Sequence, residues 1–261
     1  MVFPDDCHDD IFREFALMCR REREANNETV PEPIITSYDD KVFMKKPIIP
    51  LEHVKKTQID VMNIDTVSCI VQMIDYFKID YRKICALNMG NSFIAGAGMV
   101  SRMFQTQEEE LLRRCDLEPH LPLKIYPLKV DQQVLSQGVK IKRDKDYNYY
   151  DKEYITSFIT ACALMSPKVV DGKFYRDIDR EIMYNKMDQI FRTCYLYGYS
   201  VLVLGAFGCG AFLCSQEEVI GIFNELIKKY DRCFEWIIFA IIDNDNRGNW
   251  KLFNEGIKRN H

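Results

Sequence analysis

Apolar positions along this chain recur at two periods, near 3.6 and near 2, and the elements follow from them. Over residues 9–25, Ile11, Phe12, Phe15, Met18 and Cys19 share one face of a helical repeat with charges opposite. That predicts an amphipathic helix, packed on the main core or offered to a partner. Residues 26–50 carry Pro31, Pro33, Pro47 and Pro50 and few periodic apolars, which predicts an extended connector. A short strand is expected at 59–62. Asn63-Ile64-Asp65-Thr66 then supplies helix caps ahead of Val67, Ile70, Val71, Ile74 and Phe77, a stripe at helical spacing. The apolar run 84–87 follows, so the first unit reads β-α-β, with parallel pairing through a right-handed crossover.

Farther on, strands are expected at 123–130 and 139–142, flanking a polar segment with Tyr147, Tyr149 and Tyr150. Another buried strand is expected at 154–165, running toward Pro167. Residues 177–197 place Ile178, Ile182, Met183, Met187, Ile190 and Cys194 on one helical stripe. A strand at 201–204, a helix at 216–229, a last core strand at 234–242 and a short helix at 248–257 complete the pattern. Alternating strands and helices predict an α/β fold. The chain divides into an N-terminal helical extension and connector, 1–56, and an α/β body, 57–261.

Composition narrows the function classes. Of 261 residues, 47% are hydrophobic and 28% charged, which is ordinary for a soluble globular protein. The net charge of −4 argues against direct DNA binding or a membrane-surface role, both of which favour a basic excess. An anionic ligand can still be held by backbone amides and helix N-termini. The ten cysteines include no C-x-x-C pair and the four histidines are not paired at metal spacing, so neither a metal nor another cofactor is expected. Scattered cysteines and an acidic start to the chain point to an intracellular, cytoplasmic setting, with the nucleus open. The longest uncharged apolar run, 201–214, has 14 residues and three glycines, too few to span a bilayer. A monomer is expected.

Two loops carry candidate chemistry. The strand 84–87 ends at Asn88, and a loop of small residues follows with Gly96-Ala97-Gly98 at its tip, then a helix opening with Gln107, Glu108, Glu109 and Glu110. An open α/β sheet presents ligands at its carboxyl edge in this way. Thr106-x-x-Glu109 also reads as a capping box, and Glu110 with Arg114 as an i,i+4 pair, with Glu108 facing water. Alternatively, a glutamate beside a sugar pocket serves as acid and then base in cleaving a glycosidic bond. The second loop, Gly205-Ala206-Phe207-Gly208-Cys209-Gly210-Ala211-Phe212, joins an apolar strand to a helix. It offers an anion nest of free N–H groups, or a tight turn that lets the helix pack closely. It is neither a Walker A loop nor a G-x-G-x-x-G fingerprint, and no G-x-S-x-G elbow occurs. Asp243 ends the last strand, and Asn244, Asp245 and Asn246 after it read as turn formers.

Together these loops resemble the bacterial-type poly(ADP-ribose) glycohydrolases, a branch of the macrodomain superfamily. The likeness rests on Asn88, Gly96-Ala97-Gly98, Gln107-Glu108-Glu109-Glu110-Leu111-Leu112-Arg113, Leu204 to Gly210, and the closing Phe239-Ala240-Ile241-Ile242-Asp243. It runs in order from about residue 57 to 253. Three positions depart from the family's pattern. Ile94-Ala95 stands where Asn-Pro precedes the glycines, Ala97 replaces the middle glycine, and one extra residue separates Gly98 from Gln107.

The resemblance implies a three-layer α/β/α macrodomain with a mixed central sheet, binding ADP-ribose or poly(ADP-ribose), free or on a modified protein. The diphosphate would lie on the amides of residues 205–212 and of Gly96 to Gly98. Adenine would lie near Asn63, Ile64, Asp65 and Asp243, with Phe212 as aromatic neighbour. Asn88 and Gln107 complete the implied binding set. Glu109 would be the acid/base, with Glu108 beside it on the ribose hydroxyls, in an ADP-ribosyl glycohydrolase. A reader that binds ADP-ribose without turnover, or a hydrolase of a smaller NAD-derived nucleotide, are the alternatives.

Overall fold

The computed structural model describes residues 9–101, 106–243 and 248–258. In chain order its elements are α1 (Asp10–Asn26), β1 (Ile34–Ser37), α2 (Lys41–Lys45), β2 (Gln58–Met62), α3 (Thr66–Asp75), β3 (Ile84–Met89), α4 (Ala97–Ser101) and α5 (Gln107–Arg114). They continue with β4 (Gln132–Arg143), β5 (Tyr149–Ala161), β6 (Val169–Val170), β7 (Lys173–Phe174), α6 (Asp177–Leu196), β8 (Val201–Leu204), α7 (Gln216–Lys229), β9 (Trp236–Ala240) and α8 (Asn249–Gly256). Seven strands form one sheet in the order β1-β4-β5-β3-β8-β9-β2, and β6 and β7 make a separate hairpin. Only the β1–β4 and β4–β5 pairings of the sheet are antiparallel. The other six strands therefore run one way, and their carboxyl ends share one edge.

The period-2 alternation of side chains sorts the core into two faces. Cys85 and Leu87 of β3, Leu202 and Leu204 of β8, and Ile237 and Phe239 of β9 pack against α6, α7 and α8. Ile84 and Ala86, Val201 and Val203, and Ile238 and Ala240 pack against α1, α3 and α5. This is the α/β/α layering expected from the sequence. On the first face Phe223 lies edge-on to Phe239 at 4.9 Å between ring centres. Such a pair contributes ~0.5–1.5 kcal/mol beyond its buried area.

The structure differs from the sequence expectation at several elements. The expected connector contains β1, which pairs with Gln132 to Leu135 of β4 and makes residues 34–37 an edge of the main sheet. Thr36, at the middle of β1, is buried against α6. Its hydroxyl lies 3.1 Å from that of Thr193 and accepts from Nε2 of Gln189 at 3.0 Å. Residues 1–56 thus belong in part to the α/β body. The strands at 58–62 and 84–89 are parallel but not neighbours, because β9 and β8 lie between them. β8 is buried at all four positions, whereas β2, QIDVM, buries only Val61. The fully apolar strand takes the centre and the half-polar one the edge.

Residues 123–130 form no strand. A 3-10 turn, Leu123–Ile125, sits there, bounded by Pro122 and Pro127, which donate no ladder hydrogen bond. The strand expected at 154–165 starts earlier, at Tyr149, and ends at Ala161. Asp144 accepts from the N–H groups of Asp146 and Asn148, folding the turn that lets Tyr149 pair with Arg143. The last core strand, expected over 234–242, is the shorter β9. On α1, Phe12, Phe15 and Cys19 are buried as expected, but Ile11 is 47% exposed, being rotated off the contact face. Replacing Thr36 by Val should remove the acceptor of the buried Gln189 amide. The expected loss is about 1–3 kcal/mol of unfolding free energy, read from urea denaturation; a change under about 0.5 kcal/mol would contradict the anchoring role of β1.

Candidate active site

The alternation that buries Ile84 and Ala86 on the α5 side puts Asn88 on the same side, fully buried. Its Nδ2 donates to Oε1 of Glu108 at 3.2 Å and to Oγ1 of Thr160 at 3.1 Å, while its Oδ1 has no partner among the described residues. Thr160 comes from β5, in register with Asn88. The backbone then turns at Gly90, where an added Cβ would stand 2.8 Å from Oε1 of Glu108 and 2.7 Å from the Thr160 methyl. Only a residue without a side chain fits there.

The loop leaving β3 folds around the two glutamates. Oε2 of Glu108 accepts from the N–H of Gly96 at 3.0 Å and of Asn91 at 3.3 Å. Oε1 of Glu109 accepts from the N–H of Gly98 at 3.1 Å, in the first turn of α4, and its Oε2 accepts from the Thr106 hydroxyl. Both side chains are buried, so Glu108 does not face water. Thr106 is the N-cap of α5 but caps no backbone N–H, because its hydroxyl is turned to Glu109; the capping box does not form. Glu110 pairs with Arg113 at 2.6 Å rather than with Arg114. Arg114 is instead drawn under α3, where it meets Asp65 at 2.7 Å.

Burial pushes the Glu108 carboxyl up to about 8, and the neighbouring charge of Glu109 adds to the shift. The bonds from Gly96, Asn88 and Asn91 pull the other way. Glu108 is therefore a protonated acid at neutral pH. The buried hydroxyl of Tyr126 has no partner among the described residues, and Glu108 is one of the groups that raise its pKa, after burial itself. Gln107 is engaged with the scaffold. Its Oε1 accepts from the N–H of Met89 at 2.7 Å, and its Nε2 donates to Leu87 O at 2.7 Å and to the Thr66 hydroxyl at 2.9 Å. This amide extends the β3 backbone pairing sideways and fixes the first turn of α5 against β3 and α3.

The second loop leaves β8, the hydrogen-bonded parallel neighbour of β3, at the same edge. The N–H of Phe207 donates to Gly205 O at 2.8 Å and that of Cys209 to Ala206 O at 3.0 Å. Among the described residues the N–H groups of Ala206, Gly208, Gly210, Ala211 and Phe212 make no hydrogen bond. Gly208 has a φ of +77°, and a Cβ there would meet Ala163 at 2.7 Å and Sγ of Cys214 at 2.8 Å. The Phe207 ring lies in the core, so only its backbone faces the loop. Gly205 packs closely on Met89, 3.1 Å from where its Cβ would be, joining the two loops at their roots.

The remaining expected residues lie along this edge. Asn63, Ile64 and Asp65 follow β2, and Asp243 lies just beyond β9 with its Oδ1 buried and unpartnered among the described residues. Asp65 caps α3 through the Ser68 N–H at 2.8 Å besides holding Arg114, so its carboxylate is committed. Asn244, Asp245 and Asn246 lie outside the described residues. The sequence reading missed Gly90, Asn91 and Thr160. A glycine directly after the strand was a usable signal for the first two; Thr160 shows itself only once β5 is paired beside β3. Among the described residues no group of three His, Cys, Asp or Glu side chains is placed to hold a metal ion, and no helix is long and apolar enough to cross a membrane. Two cavities, of about 490 and 580 Å³, lie against α1 rather than at this edge.

No family model and no curated protein matches the sequence. Solved structures do match the fold. Poly(ADP-ribose) glycohydrolase from Thermomonospora curvata superposes with a TM-score of 0.80 at 19% identity, over 94% of this chain and 99% of that one. The same protein bound to the inhibitor ADP-HPD gives 0.77 at 20% identity, over 94% and 98%. Poly(ADP-ribose) glycohydrolase from Deinococcus radiodurans in complex with ADP-ribose gives 0.69 at 20% identity, over 86% and 93%. The chain shares their fold nearly end to end.

The raised Glu108 pKa has a consequence for stability. Between its ordinary value of 4.5 and about 8, the native state keeps a proton that the unfolded chain has lost. Native stability from this group is thus full below pH 4.5, falls as pH rises through that window, and is constant above about pH 8. Glu108→Gln should lack this decline. Urea midpoints at pH 5, 7 and 9 should show wild type losing ground to the variant as pH rises; parallel profiles would refute the assignment.

Proposed function

We propose that this chain hydrolyses the O-glycosidic bond of ADP-ribosyl groups, on poly(ADP-ribose) or on an ADP-ribose conjugate. The observation that carries the reading is the adjacency of two devices on neighbouring parallel strands. After β3 come two buried carboxylates held by the amides of Gly96 and Gly98, and after β8 comes a small-residue loop with five N–H groups that make no hydrogen bond among the described residues. The second suits a diphosphate, because successive N–H groups concentrate positive potential without needing a cationic side chain. The first suits a sugar whose glycosidic oxygen must be protonated as the bond breaks.

In this reading the diphosphate lies on the amides of residues 205–212. The adenosine end extends toward Asn63, Ile64 and Asp243, and the distal ribose toward Asn88 and Glu108. The unpartnered Oδ1 of Asn88 accepts from a ribose hydroxyl. Glu108, protonated below about pH 8, donates to another ribose oxygen. With a proton taken up as substrate binds, Glu109 gives it to the leaving oxygen while the ribose gains oxocarbenium character, and it then takes a proton from the attacking water, which adds to the ribose carbon. The bound ADP-ribose and ADP-HPD of the structural neighbours support this ligand class. The nine cysteines among the described residues are free and buried, which supports action in a reducing compartment.

Glu109→Gln tests the reading. Calorimetry should find ADP-ribose affinity within about threefold of wild type, while release of ADP-ribose from polymer, followed by mass spectrometry, should fall by ~10²-fold or more. Wild type that binds ADP-ribose but releases none would make the chain a reader. Wild type that does not bind it at all would overturn the proposal.

A further inference from the structure

A carboxylate accepts hydrogen bonds at about four positions, and at Glu108 three are filled. Oε2 takes the N–H groups of Asn91 and Gly96, and Oε1 takes Nδ2 of Asn88. The proton that Glu108 keeps at neutral pH belongs on the remaining position of Oε1. Its loss above about pH 8 empties that position and leaves a buried negative charge one donor short. The missing donor must come from a side chain that is not already committed elsewhere.

Tyr126 is such a side chain. It follows the 3-10 turn Leu123–Ile125, and its ring packs on the α5 side of the sheet. Two residues on, the N–H of Leu128 donates to Ser92 O at 2.7 Å, and Ser92 lies between Asn91 and Gly96, whose amides hold Oε2. The segment that carries Tyr126 is thus hung on the same loop that grips Glu108. Its hydroxyl is buried and makes no hydrogen bond among the described residues. After burial itself, Glu108 is the largest cause that pushes this phenol up. Glu109 of α5 acts on Glu108, and Cys162, just beyond β5, acts on Tyr126. Burial pushes the Cys162 thiol up to about 12, with Lys186 of α6 pulling the other way, so this group is neutral at pH 9 and below.

We infer that Tyr126 is a positioning residue for Glu108: when Glu108 gives its proton to solvent, the phenol turns its O–H onto the emptied position of Oε1 and holds the carboxylate in place. Tyr126 keeps its own proton throughout, because burial, Glu108 and Cys162 hold it well above the ordinary value of 10. On the reading of the carboxyl edge given above, on which this consequence rests, ionised Glu108 stays seated beside the ribose and accepts from a sugar hydroxyl instead of donating to one. Ligand binding then outlasts the loss of the Glu108 proton.

Tyr126→Phe removes the hydroxyl and keeps the ring. Together with Glu108→Gln and the double variant it makes a cycle, read as urea midpoints at pH 5 and pH 9. At pH 5 Tyr126→Phe should match wild type, since a hydroxyl without a partner leaves nothing unbonded when removed. Without that donor the native carboxyl ionises at higher pH, so stability is lost over a wider range of pH. At pH 9 Tyr126→Phe should therefore fall below wild type. In the Glu108→Gln background, where no charge develops, the deficit should vanish; the same background removes the titration of Tyr126 itself from the comparison. A Tyr126→Phe effect of equal size at both pH values, or one that persists at pH 9 beside Glu108→Gln, overturns the inference. A second arm measures ADP-ribose affinity by calorimetry at pH 6 and pH 9. Tyr126→Phe should bind within about threefold of wild type at pH 6 and about tenfold more weakly than wild type at pH 9, the loss expected for one charge-assisted hydrogen bond. Equal affinities at pH 9 would overturn the positioning role. Wild type that binds no ADP-ribose at either pH would overturn the reading of the carboxyl edge instead, while the urea cycle still decides whether Tyr126 serves Glu108.

Discussion

A carboxyl group taken out of water costs stability in proportion to the donors it fails to find, and Glu108 finds three: the Asn88 amide and the N–H groups of Asn91 and Gly96. These bonds also determine the shape of the loop. Ten residues after β3 contain no long element of their own, and their path is set by the requirement that their amides reach two acidic groups on α5. Gln107 makes the arrangement rigid by binding β3 through its side chain as a neighbouring strand would through its backbone. The two carboxylates, the loop above them and the strand below are therefore one mechanical unit.

Residues 205–212 include no cationic side chain, and among the described residues five of their N–H groups make no hydrogen bond. Any positive potential at that loop therefore comes from oriented amides, which act at short range and depend on the backbone path.

Much of this was readable from residue order. The helices at 66–75, 177–196 and 216–229 follow from apolar stripes, and the strands at 84–89 and 201–204 from short apolar runs, because local burial on a single face writes itself into the pattern. Both candidate loops were visible as small-residue segments next to those strands. What was not readable is what depends on pairing at long range. β1 is four residues between prolines and shows no periodicity of its own; it is a strand because β4 accepts it. β2 and β3 look like partners in sequence, yet β8 and β9, more than a hundred residues later, separate them. The fate of carboxylates was equally hidden. Thr106-x-x-Glu109 has the spacing of a cap, and only the approach of Gly98 and the Thr106 hydroxyl assigns Glu109 elsewhere.

The placement of β1 has an effect on the solution behaviour of any shortened form. A protein starting near residue 57 would keep both loops with Glu108 and Glu109, but Gln132 to Leu135 would lose the strand that covers them. Bare ladder groups on a sheet margin recruit strands from other molecules. Such a fragment would tend to self-associate and precipitate, and a failure to bind ligand in it would report on the bare sheet margin rather than on a part played by the missing segment at the carboxyl edge.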